Sequence, residues 1–135
     1  MLATRNRLRT ATDFSTTVRS GVRNGRRNVV LYAAAIAADE PSRIGFIVSK
    51  SVGNAVVRNL VKRRLREAGA ASLREYGTGF AIVVRALPAS ASASWEQLLS
   101  DYNAALESTM ARLAGRSRAA ANGSAGTTQE GTPRA

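Results

Sequence analysis

Four cations and an amide, Arg58, Asn59, Lys62, Arg63 and Arg66, lie at helical spacing in a nine-residue stretch without an acid. At about 100° per residue they follow one another as Arg58, Lys62, Arg66, Asn59 and Arg63 across an arc of about 140°. Val57, Leu60, Val61, Leu65 and Ala68 take the opposite arc, so the segment is predicted to be an amphipathic helix with one packed face and one positive face. Arg64 falls on the apolar side, where its stem can lie along the core while its head reaches the rim. Cations at i, i+4 and i+8 repel by a few tenths of a kcal/mol per pair in an isolated helix. A polyanion relieves that repulsion, the guanidinium fork suits bidentate phosphate contacts, and Asn59 can hydrogen-bond a base or ribose. The competing explanation is an ordinary solvated face. Against it stand the absence of any interleaved Glu and the length of the acid-free window, which opens at Arg43.

The residues that are missing narrow the chemistry further. The chain has no His and no Cys, so it lacks the side chain best suited to general acid–base work near neutral pH, thiolate nucleophiles and sulfur-ligated zinc. Its nine acids form no obvious metal-binding set, and no phosphate-cradling GxxxxGK[ST] motif occurs. A stand-alone nuclease is therefore disfavoured. No catalytic residue and no metal ligand is assigned.

Charge is segregated along the chain. The sum is +11; residues 1–27 carry seven cations and one acid, and residues 41–66 seven cations and none. Such a field draws polyanions. Arg5, Arg7 and Arg9 make the N-terminus a further basic candidate. The absence of Cys fits a reducing cytoplasm, and no apolar run reaches the roughly 18 residues that a membrane helix needs. A cytoplasmic protein is expected, with neither a membrane nor a small-molecule partner.

The elements that must hold these side chains can be read from capping and periodicity. Thr10-Ala11-Thr12-Asp13 has capping-box form and Gly21 stands at a stop position, giving a helix over 11–20 with Phe14 and Val18 stacked at i, i+4. Two β-branched runs, 28–33 and 43–49, flank the turn chemistry of Asp39-Glu40-Pro41-Ser42 and are expected to form a hairpin. Asn54 caps the basic helix, predicted over 55–68 and stopped at Gly69. A strand over 80–85 follows. Ser94-Trp95-Glu96-Gln97 then opens a helix whose Trp95, Leu98, Leu99, Tyr102, Leu106, Met110 and Leu113 share a stripe. The expected organisation is one α+β domain over 1–115, helices against a single sheet, followed by a disordered tail over 116–135.

In order along the chain, Arg5-Asn6-Arg7-Leu8, Asp13-Phe14, Val30-Leu31-Tyr32, Arg43-Ile44-Gly45, Val48-Ser49-Lys50, Gly53-Asn54-Ala55-Val56, Arg58-Asn59-x-x-Lys62-Arg63-x-x-Arg66 and the strand ending in Arg85 resemble the protein subunit of bacterial ribonuclease P. The resemblance spans roughly residues 5 to 113. It implies an α+β fold with a strand–helix–strand crossover of the rare left hand, against the usual rule. It also implies that the chemistry belongs to a catalytic RNA subunit with magnesium, which removes the 5′ leader of precursor tRNA, and that the protein binds no cofactor by itself. Arg58, Asn59, Lys62, Arg63 and Arg66, with Arg64, would contact the catalytic RNA. A cleft of Phe14, Val18, Val30, Tyr32, Phe46, Val48 and Lys50 would take the single-stranded leader, whose bases gain about 1–3 kcal/mol each from stacking on aromatic rings. Leu60, Val18 and Ser51 depart from the family pattern, which commonly has Arg, Phe and Lys there; Arg64, about 6 Å from position 60 on the helix surface, can restore the first charge. The alternative assignment is a ribosomal or other RNA-structuring protein, equally small, basic and α+β.

Overall fold

The computed structural model describes residues 3–123. Helix α1 (Ala11–Ser20) leads into strands β1 (Val22–Gly25), β2 (Val29–Ala35) and β3 (Arg43–Ile47). Helix α2 (Ala55–Glu75), strand β4 (Phe80–Ala86) and helix α3 (Trp95–Gly123) complete the order. The sheet runs β1-β2-β4-β3, antiparallel except for the parallel pair β3–β4, which α2 connects. Parallel neighbours cannot be joined by a tight turn, so a crossover connection is required there, and α2 supplies it.

The expected hairpin between the 28–33 and 43–49 runs does not form, because β4 lies between β2 and β3. The reason is in β4 itself: Ala81, Ile82, Val83 and Val84 are all buried, and a strand apolar on both faces gains most from a central place. The turn around Pro41 pairs instead with the loop before β4, where Ser42 N–H donates to the Gly77 carbonyl (2.9 Å) and Gly79 N–H to that of Glu40 (2.9 Å). The hairpin that does form is β1–β2, with Arg26 N–H donating to the Val29 carbonyl at 2.8 Å.

Alternation along the strands divides the sheet. Val29, Leu31 and Ala33 share a face with Ile44, Ile82 and Val84, and α2 and α3 close over it to make the core. From α2 come Val61, Leu65 and Ala68; from α3 come Leu98, Tyr102, Ala105, Leu106, Met110 and Leu113. Helix α1 lies on the other face, which carries Val30, Tyr32, Gly45 and Val83. All three predicted caps are present. Thr10 Oγ1 accepts from Asp13 N–H (3.0 Å), Asn54 Oδ1 accepts from Val57 N–H (3.0 Å), and Ser94 and Gln97 cap each other reciprocally at 3.1 and 2.9 Å.

Gly69, expected as a stop, and Gly115, at the expected end of the domain, both lie inside helices. Gly69 is buried in α2, where a Cβ would come within 2.9 Å of Phe46 Cζ, so its missing side chain lets the helix approach β3. Gly115 meets nothing within 4 Å, and α3 runs past it to Gly123. Of the expected tail, residues 116–123 continue α3 as helix, and 124–135 lie outside the described residues.

Candidate nucleic-acid interface

The basic helix is held by its ends and its buried stripe. Besides the Asn54 cap, Arg58 Nε donates to the Gly53 carbonyl at 3.1 Å, which ties the first turn to the loop entering it. Val61, Leu65, Ala68, Gly69 and Ser72 are the buried residues. Their stripe is centred closer to Arg58 than the sequence pattern suggests, so Arg58 and Lys62 are half-buried at its rim while Asn59, Arg63 and Arg66 are exposed. Arg64 sits on the far flank, where Nη1 donates to the Ala93 carbonyl at 3.1 Å. Its head does pass the rim of the core, but toward the start of α3 and away from the Lys62–Arg66 flank.

An open groove of about 940 Å³ follows the outer edge of β3. One wall is the N-terminal segment, where Leu8 N–H donates to the Ile44 carbonyl (3.1 Å), together with Phe14 of α1. The other is α2, with Lys62, Arg63, Arg66 and Arg74 and one acid, Glu67. Phe14 reaches β3 because position 45 is glycine: a Cβ there would overlap the ring, so the phenyl tip rests directly on the strand. The groove therefore combines a half-buried aromatic floor with cations on both rims, Arg7 facing the α2 row.

The side chains expected to form one leader cleft are distributed over four places: the groove, the α1 side of the sheet, the core and the turn before α2. Phe14 and Phe46 line the groove beside Lys62, Arg63 and Arg66. Val30 and Tyr32 lie on the α1 face of the sheet, where Arg23 is paired with Tyr32 and Arg85 with Val30. Phe46 belongs to the opposite face, under Gly69, and reaches the groove around the edge of β3. Val48 is a core residue at 8% exposure, packed in the cluster under α2 and α3. Lys50 is exposed in the turn Lys50–Val52 that leads to α2; Val18 is half-buried on α1; Arg5 and Arg9 are exposed.

Arg7, Arg74, Arg23 and Arg85 were not singled out by sequence reasoning as interface residues beyond the N-terminal grouping of Arg7. For Arg74 the signal was available, since it lies eight residues beyond Arg66 on the same helix face, once Gly69 is recognised as a packing glycine. Arg23 needed β1, a strand with a single buried apolar side chain. Among the described residues no group of three or more His, Cys, Asp or Glu is placed to hold a metal ion, and no helix is long and apolar enough to cross a membrane.

A three-helix, four-stranded α+β domain with a cation-rimmed aromatic groove belongs to the class of small RNA-binding proteins. Comparison with known proteins makes this specific. The Ribonuclease P family model matches residues 2–110. The chain is 88% identical over 136 aligned positions to the ribonuclease P protein component of Pseudarthrobacter chlorophenolicus, covering all of both chains. It is 55% identical to that of Kocuria rhizophila over 84% of this chain and all of the relative. The solved ribonuclease P protein of Staphylococcus aureus superposes with a TM-score of 0.69 at 26% identity, over 76% of this chain and 93% of that one. The chain belongs to the ribonuclease P protein family, of the bacterial type, and is a component of an endoribonuclease concerned with tRNA processing. The ribosomal alternative is not favoured.

Proposed function

We propose that the chain docks on the catalytic RNA subunit of ribonuclease P through the exposed face of α2, and receives the 5′ leader of precursor tRNA in the groove along β3. Phosphodiester cleavage is supplied by that RNA with its bound magnesium ions. The protein positions substrate and neutralises phosphate. The observation that carries this reading is the convergence of Phe14 and Phe46 with Lys62, Arg63 and Arg66 on one groove: a single strand offers both π-faces and phosphates, and this surface meets both. Asn59, exposed beside the cationic row, adds a hydrogen-bonding group for a base edge or a 2′-hydroxyl. The chain's own lack of His and Cys fits an assistant to a ribozyme.

Reconstitution tests partner and role together. Precursor tRNA is incubated at low magnesium with the chain alone, with the cognate catalytic RNA alone, and with both. The chain alone yields no cleavage, and adding it to the RNA raises the rate. Magnesium-dependent cleavage by RNA-free protein would sink the assignment of chemistry to the RNA, and no stimulation would sink the docking role.

A further inference from the structure

The sheet has a second exposed edge, β1, on the side away from the groove, and it too is lined with arginines. Arg112 of α3 donates from Nη1 to the Arg23 carbonyl at 2.6 Å, and Arg116 from Nη1 to the Ser20 carbonyl at 3.4 Å. Arg26 donates from Nε to Asn24 Oδ1 (2.8 Å), and Asn24 Nδ2 donates to Ser108 of α3 (3.0 Å). These bonds place Arg26, Arg112 and Arg116 along the edge made by the end of α1, β1 and α3, with Arg23 on the same strand toward the α1 face, and all four are exposed. Arg19 is exposed in the last turn of α1, one residue before the Ser20 carbonyl that Arg116 reaches.

The surface is not neutralised by its surroundings. Asp101 accepts from Asn28 and shares a separate hollow with Arg27 and Glu96, while Glu107 lies where it acts on Tyr76. Among the described residues none of the arginines at the β1 edge forms an ion pair within 4 Å. Three of them spend one nitrogen on an anchoring hydrogen bond and keep the rest of the guanidinium for an external acceptor. Anchoring reduces the side-chain entropy lost on binding.

We propose that this β1–α3 edge is a second RNA-backbone contact, taken by a segment of the catalytic RNA distinct from the one on α2. The inference rests on the ribonuclease P reading above. Three interstrand spacings separate β1 from β3, about 14 Å, with α2 and the groove beyond. A single-stranded leader laid along β3 does not reach the far edge, whereas a folded RNA larger than the protein contacts both.

The test measures affinity of the full chain for its cognate catalytic RNA across a potassium chloride series, with thermal unfolding as a fold control. Arg26→Gln/Arg116→Gln removes two cations, and the log–log salt slope becomes shallower by about 1.8, with binding weaker by about tenfold at moderate salt. Arg63→Gln/Arg66→Gln gives an independent loss, and the combined variant loses both. An edge variant that binds with wild-type slope and affinity overturns the second contact. An α2 variant that does so overturns the underlying reading instead. Because the chain has no cysteine, Arg26→Cys and Arg63→Cys each provide a unique site for a photo-crosslinker. Adducts from position 26 in a catalytic-RNA segment different from that reached from position 63 support the proposal. Adducts from position 26 only in precursor tRNA, or none, defeat it.

Discussion

Phe14 has the most exacting environment of the groove residues. Its ring tip is in contact with the Gly45 backbone and its side chain is half-buried, so one face is committed to the strand and the rest to the groove. Phe14→Ala removes a stacking platform without touching the α2 cations, and should weaken precursor tRNA by roughly 1–3 kcal/mol while leaving mature tRNA, which has no leader, nearly unaffected. Comparing the two affinities in the reconstituted complex checks this; equal losses would remove Phe14 from the leader site. A second residue-scale prediction concerns the core. Tyr102 is fully buried, bonded to Ser72 Oγ at 2.8 Å, and its phenol is pushed up to about 12 by burial, with the Ser72 bond acting in the opposite direction. The unfolded phenol ionises near its ordinary value of about 10. The folded pKa is the higher one, so this contribution is intact below pH 10 and is lost as pH rises through the window from 10 to 12, by up to about 1.4 kcal/mol per pH unit. Denaturant titrations at pH 8 to 11 should show the wild type losing stability relative to Tyr102→Phe, which itself starts about 1 kcal/mol lower for want of the hydrogen bond.

At the scale of elements, what was legible in the sequence followed from local chemistry. Thr10, Asn54 and Ser94 cap the helices they were expected to cap, because a cap is decided within four residues. What the sequence left unread is non-local. The edge strand β1 has one buried valine and owes its existence to pairing with β2. Gly69 has the local look of a stop, and only the approach of Phe46 from β3 explains it. The same holds for the cleft: Phe46 and Val48 read as companions of Tyr32, yet β3's register sets Phe46 on the opposite sheet face, from which it reaches the groove around the strand edge, and Val48, just past the end of β3, is buried in the core. For α2 the element-scale prediction separates holding from binding. Asn54→Ala removes the cap and should cost about 1 kcal/mol of stability, visible in thermal unfolding, with RNA affinity of the folded fraction unchanged. Arg63→Ala, at an exposed position, should leave unfolding within about 0.5 kcal/mol and weaken the catalytic RNA. If the two variants trade these phenotypes, Arg63 is a structural residue and the docking face must be redrawn.

The whole molecule places an arginine-rich surface at each edge of a small sheet, under a net charge of +11. Cations of this density repel one another in the free protein and are stabilised when phosphates neutralise them and the condensed counterions of the RNA are released to bulk, so binding should be governed by salt more than by any one contact. Four neutralised phosphates on the α2 face alone, one each for Arg58, Lys62, Arg63 and Arg66, give a log–log slope of about −3.6 if the duplex coefficient holds for structured RNA, and a second edge makes it steeper. Magnesium competes for the same phosphates. The advantage that the protein confers on cleavage should therefore be largest at low magnesium and should shrink as magnesium rises, since the ions then screen by themselves what the arginines screen. A rate ratio, with and without protein, that stays constant across a magnesium titration at fixed ionic strength would contradict charge neutralisation as the protein's principal contribution. It would leave the aromatic groove, which magnesium cannot replace, as the remaining source of the effect.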